Sequence, residues 1–154
     1  MKTYIGIVRD HSGSMSGLKQ YAIEDFNTNL QQIKDNETSK HQNIISVVEC
    51  GIHNADRTSI YYGTLVKPRE QLVPVKEVPP LDFYRAESKT PLFDSVGAII
   101  EQFEKIKRVA KTTSFLVLVI TDGEENCSRF WGNWYNTSKL SEKIKELEAT
   151  GKWT

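Results

Sequence analysis

Cysteine, net charge, proline and long apolar runs are all scarce in this chain, and each scarcity narrows what it can be. Cys50 and Cys127 are the only two cysteines in 154 residues. One falls in an expected buried strand and the other in an expected loop, so a disulfide-stapled scaffold is excluded and a reducing cytoplasm suits both thiols. Lys plus Arg number 20 and Asp plus Glu number 20, a formal net charge of zero. Without a global field to gather polyanions, neither nucleic acid nor a membrane surface is an expected partner. The longest apolar run, Phe115 to Ile120, is far shorter than the roughly 20 residues of a spanning helix. Met1-Lys2 leads straight into a strand-like run, so neither signal peptide nor anchor is expected. The five prolines all lie between residues 67 and 91, which leaves the rest free for regular structure. No internal repeat or low-complexity segment appears, and a single domain over residues 1–154 is expected.

Hydrophobic spacing supplies the elements. Thr3 to Val8 is β-branched and aromatic and ends at Arg9-Asp10 before Ser and Gly, which reads as a strand feeding a turn. Leu18, Tyr21, Ala22, Phe26, Leu30 and Ile33 recur at three- and four-residue steps and predict an amphipathic helix from Gly17 to about Asp35, with its aromatics in the core. Ile44 to Cys50 reads as a second strand, and Thr58 to Val66 as a third that pairs with it antiparallel, because the link is too short for a crossover. The proline-bearing segment 67–91 is expected to cross the sheet end without adding a strand. Leu92, Val96, Ile99, Ile100, Phe103 and Ile106 predict a second helix. Phe115 to Ile120 reads as a central parallel strand buried on both faces. A last helix, about Thr137 to Ala149, turns Leu140, Ile144 and Leu147 inward under a Thr137 or Ser138 cap. Strands alternating with helices give an α/β class.

The chemistry concentrates in Asp10-His11-Ser12-Gly13-Ser14, directly after the first strand. A carboxylate and two hydroxyls at alternate positions are donors for a hard divalent cation, Mg²⁺ or Mn²⁺ rather than zinc. The same residues also suit an N-cap and a turn. Two further segments, Ser88 to Asp94 and Val119 to Glu125, each lie where a strand or loop gives way to a helix. Ligand crevices form past the carboxyl ends of parallel strands, so Asp10 and Asp122 are expected to share one. Two carboxylates there repel unless a cation sits with them.

In this order the three segments resemble the metal-ion-dependent adhesion site of the von Willebrand factor A family: Asp-x-Ser-x-Ser, then a Thr, then an Asp in a Thr-Asp-Gly turn. The resemblance runs from residue 3 to about residue 150. It implies that Asp10, Ser12, Ser14, Thr90 and Asp122 hold Mg²⁺ or Mn²⁺, and that an acidic residue of a protein partner completes the coordination. It also implies a doubly wound, Rossmann-like and mostly parallel sheet with one antiparallel edge strand and helices on both faces. Members of the family continue into a further strand and helix, and Lys152-Trp153-Thr154 reads as the start of that strand. A chain ending there leaves one edge of the Phe115–Ile120 strand unpaired, which invites a second copy or another polypeptide to complete the sheet.

Neighbouring residues carry competing readings. Thr90 precedes Pro91, which favours an extended pose, or it caps a helix that opens at Pro91. Asp122 makes a turn or joins the site. Glu124 and Glu125 read as solvated charges, with tuning of the site as the alternative. His11 is placed on the rim, since oxygen-rich sites do not favour imidazole. Phe130, Trp131, Trp134 and Tyr135 follow no helical or strand period and suit a binding hot spot, or else fold back over the last helix. Arg129 suits a partner carboxylate or plain surface. His11, Arg129 and these aromatics form the expected partner-binding rim. The function implied is a metal-dependent adaptor or assembly module rather than an enzyme. A Mg²⁺-dependent hydrolase or phosphoryl-transfer enzyme is the rival reading. Against it, the chain has no Asp-x-Asp pair at strand one, no phosphate-cradling Gly-x-x-x-x-Gly-Lys loop and no plausible Ser-His-Asp set. A structural remnant completed by another chain is the third.

Overall fold

Alternation along β1 (Lys2–Asp10) sets the layers. Ile5 and Ile7 face one side, where Ile45 and Val47 of β2 (Gln42–Cys50) meet Phe26 and Leu30 of α1 (Lys19–Asp35). Val8 faces the other, and with Val48 and Cys50 it packs on Val96, Ile99, Ile100 and Phe103 of α2 (Leu92–Glu104). Leu140 and Leu147 of α3 (Ser138–Glu148) join this second cluster. Each fully buried Phe or Ile stabilises the fold by about 2–3 kcal/mol relative to exposure. These residues belong to a computed structural model that describes 1–106, 109–132 and 136–154.

The protein is α/β, with a mixed, open five-stranded sheet in the order β3 (Val66–Pro68), β2, β1, β5 (Thr113–Ile120), and β4 (Val73–Pro74) also on the outer edge of β2. β1 pairs in parallel with β2 and β5, while β3 and β4 are antiparallel to β2. From β1 the chain moves to one side for β2 and returns to the other for β5, so the strand order reverses at β1. Among the described residues no helix is long and apolar enough to cross a membrane.

Several expectations need correction. Residues 58–65 form turns, and only Val66–Pro68 joins β2. The backbone amides of Asp56, Thr58 and Tyr61 donate to the side chains of Asn54, Asp56 and Ser59 at 2.9–3.1 Å, and such local bonds outcompete a ladder. The proline segment does contribute strands, because Pro68 and Pro74 lie on edge strands where a missing amide is tolerated. β5 is buried only at Thr113 and Phe115, and Val119 is 42% exposed, since β5 ends the path rather than lying within it. Its outer edge is nevertheless paired in part: Phe115 and Val117 donate to Lys152 and Thr154, and Thr154 donates to Phe115, at 2.8–3.0 Å. Tyr21 is 66% exposed rather than core; Ala22, Phe26 and Leu30 carry the buried face of α1. Thr137 occupies the cap position of α3 as expected, but its side chain makes no capping bond; Asn136 Oδ1 instead accepts from the Ser138 amide at 3.0 Å.

Candidate metal centre

The strand register brings three loops to one end of the sheet. Asp10 is level with Cys50, and Arg9 with Ile120, so the chain leaves β1, β2 and β5 at nearly one height. The His11 amide donates to the Cys50 carbonyl at 2.6 Å, and Gly51 then turns away with φ +96°. A Cβ on Gly51 would lie 2.9 Å from the Ser12 nitrogen and 3.1 Å from the Lys89 oxygen, so the first two loops meet only because this residue is glycine. Gly13 donates to Ser88 and Glu87 to His11, both at 2.8 Å, stitching residues 87–88 to 11–13.

The side-chain oxygens then gather in two hydrogen-bonded groups, Asp10 with Thr121 and Ser12 with Ser14 and Asp122. Asp10 is fully buried; its Oδ1 accepts from the Ser12 amide at 2.8 Å and its Oδ2 from the Thr121 hydroxyl at 2.6 Å. Ser12 Oγ lies 3.0 Å from Ser14 Oγ, and Ser14 donates to Asp122 Oδ1 at 2.9 Å. Ser14 and Asp122 are exposed, so the two groups run from a buried floor to an open mouth. Thr90 is 2% exposed, and its backbone is tied both ways to Asn126, whose Oδ1 accepts from its amide at 2.8 Å and whose amide donates to its carbonyl at 3.1 Å. Thr90 is not a helix cap; Pro91 occupies that position.

A second pair of carboxylates holds the third loop. Glu125 is buried, not solvated, and accepts from the amides of Phe93, Cys127 and Ser128 and from the Ser128 hydroxyl at 2.6–2.9 Å. Asp94 accepts from the amides of Arg129, Phe130 and Trp131 at 2.8–2.9 Å. The orphan amides at the start of α2 are thus satisfied across space by Glu125 and by the Ser128 hydroxyl, which accepts from Asp94 N at 2.9 Å. Reading along the chain missed Thr121, Asp94, Glu125 and Ser128. Thr121 had the signal of lying between the strand and Asp122, while the others are matched only by the fold.

The rim residues separate. His11 is 2% exposed and stacks on Tyr84 with centroids 4.1 Å apart, so its rim placement is corrected. Arg9 Nε donates to His11 Nε2 at 2.9 Å, which makes Nε2 the acceptor and leaves Nδ1–H to donate to the Arg85 carbonyl at 2.6 Å. The imidazole is therefore neutral, and burial, then the Arg9 charge, push its pKa below the ordinary value. Trp131 is also buried: it covers Gly97 of α2, donates to Glu101 at 3.0 Å and lies under the Lys139 ammonium. Its place is on the helix rather than at an open surface. Phe130 is 55% exposed and Arg129 is exposed. Trp134 and Tyr135 lie outside the described residues.

Compared with known proteins, the chain matches no family model and no curated protein. The site itself supplies the test of fit for a cation. Among the described residues no three His, Cys, Asp or Glu side chains group to hold a metal ion; this crevice offers the Asp10 and Asp122 carboxylates and the hydroxyls bonded to them or to each other. That is an all-oxygen set, matched to Mg²⁺ or Mn²⁺ and poor for zinc. Asp10 is completely buried, accepts two hydrogen bonds from neutral groups and enters no ion pair among the described residues. Burying a charge without a counter-charge is expensive, and a cation at the mouth would remove that cost.

Proposed function

We propose that this chain is a von Willebrand A-type module that binds a protein partner through a divalent cation. Asp10, Ser12, Ser14, Thr90 and Asp122 would hold Mg²⁺ or Mn²⁺. The observation that carries the reading is that the loops after β1 and β5 bond to each other twice through side-chain oxygens, Thr121 to buried Asp10 and Ser14 to exposed Asp122, at the point where the strand order reverses. The cation supplies one function, a fixed positive charge that accepts an oxygen ligand from outside. The protein's own residues do the rest. Asp10 forms the floor with exposed Thr121 bonded to it, Gly51 lets the first two loops close on each other, and Asp94 and Glu125 keep the third loop in place. The doubly wound fold of the family accompanies this reading, supported by α1 lying on one face of the sheet and α2 and α3 on the other. A cytoplasmic, reducing setting accompanies it too, supported by two free thiols.

An acidic side chain of the partner is the ligand that suits an open cation site with neutral hydroxyls around it. Phe130, exposed on the segment that follows the third loop, suits apolar contact with the same partner. The test is thermal unfolding in EDTA against millimolar Mg²⁺ or Mn²⁺, for the wild type and for Asp122→Ala, whose exposed side chain can be removed without opening the core. A cation at ten times its dissociation constant should stabilise the wild type by about 1.4 kcal/mol and the variant by much less. Equal melting in EDTA and in metal would overturn the reading.

A further inference from the structure

A cavity of about 200 Å³ opens beside the crevice, walled by Gly63–Val66 on one side and by Cys127, Arg129 and Phe130 on the other, with Lys89 and Pro91 between. Both walls hang from one carboxylate on α2. Glu101 Oε2 accepts from the Tyr61 hydroxyl at 2.7 Å, which holds the turn segment, and Oε1 accepts from Trp131 Nε1 at 3.0 Å, which holds the third loop. The cavity is therefore fixed by the same helix that carries the latch of the candidate metal centre.

Its charge has one sign toward solvent. Lys89 and Arg129 are exposed, and neither enters an ion pair among the described residues. Asp94 also lines the cavity, but it is buried and its oxygens are taken by three backbone amides, as those of Glu125 are by amides and a hydroxyl. Lys89 lies between Ser88 and Thr90 in the second site loop and Arg129 follows the third, so both cations sit on segments that adjoin the candidate metal centre. An ammonium and a guanidinium across a small cavity are donors for a carboxylate. Phe130 supplies the apolar side of the same cavity.

We propose that Lys89 and Arg129 bind a second carboxylate of the partner, so that the recognised segment is an acidic peptide with two acidic side chains, one for the metal and one for this cavity. The proposal rests on the metal-dependent reading above and adds to it a site that needs no metal. It also explains specificity: a lone surface carboxylate would satisfy the metal alone, whereas a partner must present two at the right separation.

The experiment is selection of short random peptides displayed on beads, in Mg²⁺ and in EDTA, by the wild type and by the K89Q/R129Q variant, both checked for equal melting temperature. Wild-type selection should depend on Mg²⁺ and converge on peptides with two acidic positions. The variant should keep the Mg²⁺ dependence, select one acidic position, and bind the best wild-type peptide about tenfold more weakly. Mg²⁺-dependent selection of a single acidic position, identical in the two proteins, would overturn this proposal and leave the metal reading standing. Selection indifferent to EDTA in the wild type would overturn both.

Discussion

Two pairs of carboxylates lie at the same end of this sheet and are treated in opposite ways. Asp94 and Glu125 stand behind the crevice and are saturated, Asp94 by three backbone amides and Glu125 by three amides and a hydroxyl. Asp10 and Asp122 line the crevice and have few donors: Asp10 has one amide and one hydroxyl, and Asp122 accepts from Ser14. The difference separates structure from function without any ligand in view. A buried carboxylate whose lone pairs are filled by backbone amides is part of the fold's own accounting of polar groups. One that is buried with only an amide and a hydroxyl for partners has acceptor capacity left over, which is what the proposed cation would use.

The sharpest way to break the comparison is Asp94→Ala. It takes the acceptor from three loop amides, that of Trp131 buried, and the expected loss is about 3 kcal/mol, read as a lower urea midpoint that is the same in EDTA and in Mg²⁺. A loss that appeared only with metal would place Asp94 in the functional pair instead.

Asp10→Asn sharpens the other half. The amide keeps the shape and can still accept from Ser12, so removal of an unpaired buried charge should leave stability in EDTA within about 1 kcal/mol of the wild type. In Mg²⁺ at ten times the dissociation constant, the wild type should lead by about 1.4 kcal/mol more than it does in EDTA. Variants that respond to Mg²⁺ like the wild type would show that the half-filled carboxylate is not a ligand.

The smallest effect concerns His11, which holds the chain between Asp10 and Ser12 while facing Arg9, Glu49, Tyr84 and the Arg85 carbonyl. Its folded pKa is lowered from 6.5, by burial first and by the Arg9 charge second. Between the lowered folded value and 6.5 the unfolded chain binds the proton and the folded chain does not, so stability is full above 6.5 and falls as the pH drops through that window. Urea midpoints measured from about pH 7.5 to pH 5 should show this decline, and His11→Gln should flatten it. An unchanged slope in the variant would assign the pH response to other groups.

Much of the fold was legible in the order of residues. The β-branched and aromatic run of β1 and the three- and four-residue steps in α1 and α2 predict elements within a few residues of those found, because strand propensity and one-faced helix burial leave their mark on local sequence. Where side chains could bond their own backbone, the reading failed. Thr58 to Val66 has the composition of a strand, but Asn54, Asp56 and Ser59 close turns locally before β2 can pair with it. Tyr21 fits the helical stripe and yet is exposed, since position on a stripe does not say how wide the covered face is.

At the candidate centre the division follows the same physics. The sequence by itself determined the donor chemistry: Asp10, Ser12, Ser14, Thr90 and Asp122 carry side-chain oxygens in three short segments, each at an element boundary, and no folding can change what those side chains donate. Only the tertiary structure decided which neighbours serve the site and which serve the fold. Glu125 and Asp94 became latches, His11 and Trp131 went inside, and Thr121 closed on Asp10, because amides, rings and carboxylates far apart in the chain found each other across a buried interface. Covalent identity is written residue by residue, whereas satisfaction of a buried polar group depends on partners that sequence separation does not reveal.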